Sequence, residues 1–317
     1  MKVSQYIGRK LLGGIPLLIG VTFVSFLLMV YFGPDKTYEL LGKNPSQEQI
    51  REVRQQMGYD QPFLSRYAQY IRELATLNLG LSESSGERVS KMMARTIPVS
   101  IALVLPGFVL GNVLGILFGL LAAWYRGRWL DKLIMGTSVV GMSISFLVII
   151  IALQILLCTP FGLNLFPARG WEVTDIGSYF YYVTVPTLAI IFVTLGYNTR
   201  FYRAVMAEEL SRDHIQTALA YGASTSEILF KHVLKNSLVP VLTRLMFSVP
   251  LVIISGSLLL ESYFGIPGIG KATFEAITSG DQPILKAVVG LTAVLFVIAQ
   301  LLIDILYRLV DPRLAES

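Results

Sequence analysis

The chain has 317 residues, of which 54% are hydrophobic and only 15% charged, whereas a soluble domain ordinarily carries about a quarter charged residues. With a mean hydropathy of +0.62, this excludes an ordinary soluble globule. The net charge of +5 fits Lys and Arg in loops that face the cytoplasm and anionic lipid, so membrane lipid is an expected partner and nucleic acid is not. A lone cysteine, Cys158, excludes an internal disulfide or thiolate cluster. The two histidines, His214 and His232, are too few for a histidine-rich metal site, and no metal is expected.

The basic N-terminus leads into an apolar run, Leu11–Phe32, that is too long for the roughly 7–15 residues of a signal-peptide core and has no clear cleavage site after it. It reads as an uncleaved first spanning helix. A span needs about 20 mostly apolar residues. Five further stretches qualify, Ile97–Tyr125, Leu133–Cys158, Tyr179–Tyr197, Val239–Leu260 and Ile284–Tyr307. The fourth is interrupted by Pro186, which a spanning helix tolerates when neighbours satisfy the freed carbonyl. The expected fold is an all-α membrane protein with six transmembrane helices.

Positive charge orients the bundle. Lys2, Arg9 and Lys10 precede the first helix. Arg126, Arg128 and Lys132 join the second and third, and Arg200, Arg203, Arg212, Lys231, Lys235 and Arg244 lie in or beside the fourth connection. Arg308 and Arg313 follow the sixth helix. The opposite connections hold only Arg169 and Lys271, with Lys286 at an edge. Both termini are therefore expected in the cytoplasm. The first connection, Gly33–Thr96, holds nine Lys or Arg, but long loops cross largely regardless of charge. The chain divides into residues 1–33 (tail and first helix), 34–96 (an extracytoplasmic cap) and 97–317 (a five-helix core).

Within the cap, Ile50, Val53 and Met57 repeat at helical spacing over Gln47–Met57, with Gly58 as C-cap. Tyr67, Tyr70, Ile71 and Leu74 predict a second amphipathic helix, and Ser82–Gly86 a polar turn. Gly107, Gly111, Gly115 and Gly119 form one small face on the second span, suited either to internal packing or to a subunit contact.

The fourth connection, Arg200–Pro240, is unusually long for an inner loop. It splits into two short helical patterns about Gly222, one with Ile215, Ala218 and Leu219 on a face, the other with Ile228, Leu229, Val233 and Leu234. Ser224 or Thr225 caps the second, with Glu227 near its positive end. Physically, this is either a rigid knob for a cleft on a soluble partner or an amphipathic hairpin lying on the membrane.

The segment resembles the EAA loop of ABC importer permeases, Glu-Ala-Ala, three residues, Gly, nine residues, Ile-x-Leu-Pro. Aligned on Gly222, Ala218 and Leu234 also match, whereas Gln216, Thr217, His232, Val233 and Lys235 fill the other pattern positions. The departures are similar to the variant in the dipeptide, oligopeptide and nickel permease family. Asp213, Thr217, Ala218, Gly222, Lys231, His232, Leu234, Asn236 and Pro240 fill that pattern. Tyr59, Asp60, Gln61 and Pro62 after Gly58, Leu79-Gly80 before Ser82, and Asp311-Pro312-Arg313 resemble further family stretches. So do Glu261, Phe264, Pro267, Gly268 and Gly270, which fill Glu-x-x-Phe-x-x-Pro-Gly-x-Gly. The likeness covers essentially the whole chain.

The resemblance implies a type I importer permease fold and half of a heterodimeric pore for di- or oligopeptides. It implies a second homologous permease subunit, two cytoplasmic ATP-binding subunits that hold ATP and Mg, and an extracytoplasmic solute-binding protein, all at a bacterial inner membrane. The chain itself would carry no cofactor and catalyse no covalent step. Asp213, Ile215, Thr217, Ala218, Leu219, Gly222, Ala223, His232 and Asn236 would couple it to the ATPases. Nickel chelates or another small solute are the alternative cargo. Candidate pathway residues are Asn112, Ser143, Ser145, Gln154, Ser255 and Ser257, and Gln300 and Asp304 are the other polar groups within spans. Asp304 stands four before Arg308, the spacing of a helix ion pair. A secondary transporter would want a midplane relay or inverted broken helices. An intramembrane zinc protease would want HExxH. The sequence offers neither.

Overall fold

The computed structural model describes residues 3–32, 37, 41, 45–56 and 60–310, without the side chains of 3–12, 255 and 308–310. Gly58, Tyr59 and Asp311-Pro312-Arg313 thus lie outside the described residues. The helices are α1 Val3–Phe32, α2 Gln47–Gln56, α3 Phe63–Ala75, α4 Val89–Trp124, α5 Trp129–Ser143, α6 Phe146–Cys158, α7 Ile176–Leu210, α8 Asp213–Ala220, α9 Thr225–Phe264, α10 Ile269–Ser279 and α11 Gln282–Val310. The extended structure among the described residues is a single antiparallel bridge, Leu81 to Arg88, closed by the expected Ser82–Gly86 turn. Among the described residues five helices are long and apolar enough to cross a membrane, and the bent pair α5 and α6 passes the same test only when its two halves are taken together.

The third span is not one helix. Its halves meet at 98° where Ile144 (ψ 131°) and Ser145 (ψ 138°) are extended. Each half, of 15 and 13 residues, is only about 20 Å long at 1.5 Å per residue, too short to cross ~30 Å of hydrocarbon alone. The fourth span begins earlier than its apolar run, because Asp175 caps it. Asp175 Oδ1 accepts from Ser178 N–H at 2.7 Å, and Ser178 Oγ accepts from Asp175 N–H at 3.0 Å. It also continues to Leu210. The expected long loop 200–240 is therefore mostly helix, with α7 running into it and α9 starting at Thr225. Two wide π-helical stretches, Ile228–Leu234 and Val252–Gly256, interrupt α9, which also contains Pro240 and Pro250.

The chain forms two units. Met1–Arg95 with Ala272–Val297 makes one, Thr96–Lys271 with Ile298–Ser317 the other. In the first, Phe23, Phe26, Phe63, Tyr67 and Tyr70 stack together, and the Tyr70 hydroxyl donates to Lys286 O at 3.0 Å. Burial pushes the Tyr70 phenol well above its ordinary pKa. Asp281 is fully buried and accepts from Ser82 Oγ (2.7 Å), Ser84 N–H (3.0 Å) and Ser84 Oγ (2.8 Å). Burial opposes ionisation of Asp281, but these donors prevail and hold its carboxyl below its usual pKa. Because the folded-state pKa is depressed, the stabilisation is complete above the ordinary carboxylate pKa near 3.8 and is lost as pH falls through the lower folded value. Amide exchange of the 82–86 turn is therefore expected to accelerate below about pH 4, and Asp281→Asn is expected to flatten that response.

In the second unit the glycine face of α4 lies against α7. A Cβ at Gly107 would stand 2.7 Å from Ile190 Cβ, at Gly111 2.8 Å from Thr194 Cβ, and at Gly119 2.8 Å from Tyr202 Cβ. Internal packing accounts for the whole stripe. Asp131, at the start of α5, takes a two-pronged pair from Arg203 of α7 at 2.6 and 2.6 Å and a bond from Gly127 N–H at 2.8 Å. The Asp131 side chain is 6% exposed. Asp131→Ala is expected to cost about 3–5 kcal/mol, because it strands the guanidinium. Asp131→Leu combined with Arg203→Met should recover most of the loss in thermal unfolding.

Candidate functional site

The segment after α7 is built around one buried side chain and one glycine. Ile215, only 1% exposed, packs with Tyr202, Met206, Ile228, Val233 and Val241. It pins α8 to α7 and α9. The helix then stops at Gly222, whose φ is +80°. Ala223 N–H bonds Ala218 O at 3.1 Å and Gly222 N–H bonds Leu219 O at 3.0 Å, which is a Schellman closure with glycine in its left-handed place. Ser224 then caps the next helix, its Oγ accepting from Glu227 N–H at 3.2 Å. The chain thus passes from one helix to the next in four residues, and Tyr221 at the turn is 88% exposed.

The sequence-predicted residues divide by role. Asp213, Thr217, Leu219 and Tyr221 are exposed, Ala218 and Ala223 half-buried, and Ile215 points inward. Ile215 and Leu219 therefore do not share a fate despite their spacing. Asp213 O accepts from the Thr217 hydroxyl at 3.1 Å. Asn236 bonds His214 at 3.2 Å, and the rings of His214 and His232 lie 6.4 Å apart. His232 and Asn236 therefore brace the base of α8 from α9. Glu209, 5% exposed, adds an ion pair to Arg212 at 3.0 Å and stands 3.4 Å from His214. Its neighbour Glu208 is exposed, so of these two adjacent acidic residues only Glu209 turns inward.

The Glu-x-x-Phe-x-x-Pro-Gly-x-Gly stretch is a second built element. Glu261 is fully buried at the end of α9. Gly265, at φ +70°, ends the helix, and the chain folds back so that Lys271 N–H donates to Glu261 Oε2 at 2.9 Å. Ile269 N–H donates to Ser100 Oγ at 2.8 Å. A Cβ at Gly268 would overlap the Glu261 carboxylate. One at Gly270 would stand 2.5 Å from Leu258 N and 2.6 Å from Ser257 Oγ. Phe264, 3% exposed, plugs the adjoining core with Ile266, and Pro267 carries the chain between them and Gly268. The motif spacing is the spacing at which a returning backbone touches its own helix.

The pattern described as "Binding-protein-dependent transport system inner membrane component" matches residues 115–316, and its N-terminal companion matches residues 3–104. The chain belongs to this family. It therefore has the type I ABC importer permease fold, as the sequence resemblance implied. A putative peptide transport system permease protein of Brucella abortus is 31% identical over 98% of this chain and 99% of its own length. A dipeptide transport system permease protein of Lactococcus lactis is 35% identical over 92% and 93%. A glutathione transport system permease protein of Escherichia coli is 30% identical over 98% of each.

Within this permease the candidate pathway residues do not form one group. Asn112 is buried, and its Oδ1 accepts from Asn198 Nδ2 at 2.8 Å and from the Tyr202 hydroxyl at 2.7 Å. Arg244 Nε reaches Asn198 Oδ1 at 3.2 Å, and its guanidinium lies 5.0 Å from the Phe201 ring centroid. This polar network ties α4, α7 and α9 together inside the bundle, and Asn198, Tyr202 and Arg244 were not among the sequence candidates. Ser257 is fully buried under Gly270. Ser143 and Ser145 are exposed at the α5–α6 break, Ser143 Oγ bonding Val139 O at 2.8 Å. Gln154 bonds Ala168 O at 2.6 Å. Gln300 is exposed and Asp304 half-buried. The side chains of Ser255 and Arg308 lie outside the described residues. No cluster of metal-ligating side chains occurs among the described residues.

Proposed function

We propose that this chain forms half of the translocation pathway of an ATP-driven di- or oligopeptide importer, with α8 as its ATPase-coupling helix. The arrangement that carries this reading is the Gly222 bend. A short helix is pinned from within by Ile215 and braced by His214 and Asn236. It presents Asp213, Thr217, Leu219 and Tyr221 outward. Such a knob transmits a partner's movement to α7 and α9, because both are packed against it. In this reading a second permease subunit completes the pore, two cytoplasmic subunits bind ATP and Mg, and an extracytoplasmic protein delivers the solute. Residues 34–96 form the extracytoplasmic segment of this reading, and both termini and the 200–240 segment face the cytoplasm. The peptide class rests on the names of the relatives, two of which specify peptide transport and a third glutathione.

The test is to express the chain with its neighbouring transport genes, purify through a tag on this subunit, and measure ATP hydrolysis. ATPase subunits should co-purify, and peptide-loaded binding protein should stimulate hydrolysis. A chain that purifies alone and moves solute in response to a proton gradient would overturn the reading.

A further inference from the structure

Helices α3 and α11 line a half-open pocket of about 250 Å³ in the first unit. Tyr70, Glu73 and Leu74 line it from α3, and Pro283, Lys286 and Ala287 from α11. Each set has the i, i+3, i+4 spacing of a single helix face. The segment Asn78, Leu79 and Gly80 completes the wall, turning there through left-handed Leu77 (φ 54°) and Gly80 (φ +78°). The helices meet one turn along α11, where Leu74 packs directly on Gly290, and they are also tied by the Tyr70–Lys286 carbonyl bond.

Two opposite charges line this space without touching. Lys286, half-buried, holds its ammonium 5.8 Å from the Phe26 ring centroid and makes no hydrogen bond or ion pair through Nζ with any described residue. Glu73, also half-buried, has Oε1 engaged by the exposed Gln69 at 2.8 Å and meets no cation at contact distance among the described residues. The charges in electrostatic reach of Lys286 are Glu73, Arg66 and Glu83. Separate half-buried charges facing one pocket favour a guest that carries the complementary pair, since each contact is stronger there than in bulk water. The ammonium offers three donors to an oxyanion, and Glu73 accepts from N–H donors.

We propose that this pocket binds a zwitterion that joins a primary ammonium to an oxyanion, the ammonium against Glu73 and the oxyanion against Lys286. Two sources share this chemistry, a phosphoethanolamine lipid head group and a free amino acid. The pocket lies where the apolar run of α11 begins, beside the aromatic cluster of Phe23, Phe26, Phe63 and Tyr67, the setting of a membrane interface.

The experiment is calorimetric titration of the purified full transporter complex with phosphoethanolamine, phosphocholine and alanine, paired with native mass spectrometry from nanodiscs of phosphatidylethanolamine or phosphatidylcholine. Saturable binding is expected for phosphoethanolamine or alanine. Glu73→Gln and Lys286→Met should each weaken it roughly 10- to 100-fold, whereas Lys286→Arg should retain it. Phosphocholine, which has no N–H to donate, should bind at least about tenfold more weakly than phosphoethanolamine. Phosphatidylethanolamine that co-purifies and is lost in Lys286→Met identifies the lipid source, and alanine binding without retained lipid identifies the free one. Absence of saturable binding by either zwitterion, or binding that survives both Glu73→Gln and Lys286→Met, would overturn the proposal. Because Glu73 and Lys286 stand on different helices, the Glu73→Gln variant tests the site even if Lys286→Met fails to fold.

Discussion

Gly268→Val is expected to abolish accumulation of folded protein in the membrane. The valine Cβ would occupy the position of the Glu261 carboxyl group, and that group must then give up a buried, hydrogen-bonded place. It is fully buried, holds the Lys271 amide at 2.9 Å, and sits beside Ser100, which itself holds the Ile269 amide at 2.8 Å. Overpacking a core ordinarily costs about 1–3 kcal/mol. Here displacement also strips a donor from a buried carboxyl group, which adds a cost of its own, about 1–3 kcal/mol. The check is the yield of monodisperse protein from membranes, with Gly127→Val as the contrasting control. Gly127 also has a positive φ (+81°), but nothing lies within 4 Å of its Cβ position, so its variant should be recovered at reduced stability. Equal recovery of the two variants would show that the return loop does not depend on close approach at Gly268. Glu261→Ala with Gly268→Val should regain part of the yield, since the pair then no longer competes for one volume.

These contacts mark where sequence reading stops. The cap helices are legible because Ile50 and Val53, and Tyr67, Tyr70 and Leu74, repeat at the helical period, and α2 and α3 form there. The Gly222 turn is legible because few residues tolerate its backbone. The third span misleads, since hydropathy runs unbroken from Leu133 to Cys158 and gives no weight to two extended residues at Ile144 and Ser145. The Asp131–Arg203 pair joins residues 72 positions apart, which no local period reveals. The four glycines of α4 announce a close helix contact, but only the fold names α7 as the helix received. Ser257 is polar within a span and so reads as a pathway group. Its burial beneath Gly270 depends on the return loop, which one dimension does not contain. The Glu261 motif is likewise visible as a pattern before it is visible as a packing constraint.

Gly222→Arg is expected to leave the protein folded and inserted but to remove solute transport. This glycine is needed for conformation and not for space. Its φ is +80°, and nothing lies within 4 Å of its Cβ position, so the substitution causes no clash. A non-glycine residue in this region costs about 1–2 kcal/mol. That is small against the core made by Ile215, Ile228 and Val233. The strain falls on the closure itself. If residue 222 relaxes to negative φ, the bonds from Ala223 to Ala218 and from Gly222 to Leu219 are lost, and α8 no longer meets Ser224 at the angle that caps α9. The outward face bearing Thr217, Leu219 and Tyr221 is then turned away, while Ile215 still anchors the inward one. The expected signature in reconstituted complex is normal yield, basal ATP hydrolysis retained or reduced less than severalfold, and stimulation by loaded binding protein reduced at least about tenfold, the change produced by roughly 1.4 kcal/mol in a coupling equilibrium. Full transport by this variant would remove α8 from the coupling path. Loss of folded protein would instead place Gly222 with Gly268 among the glycines that the packing itself requires.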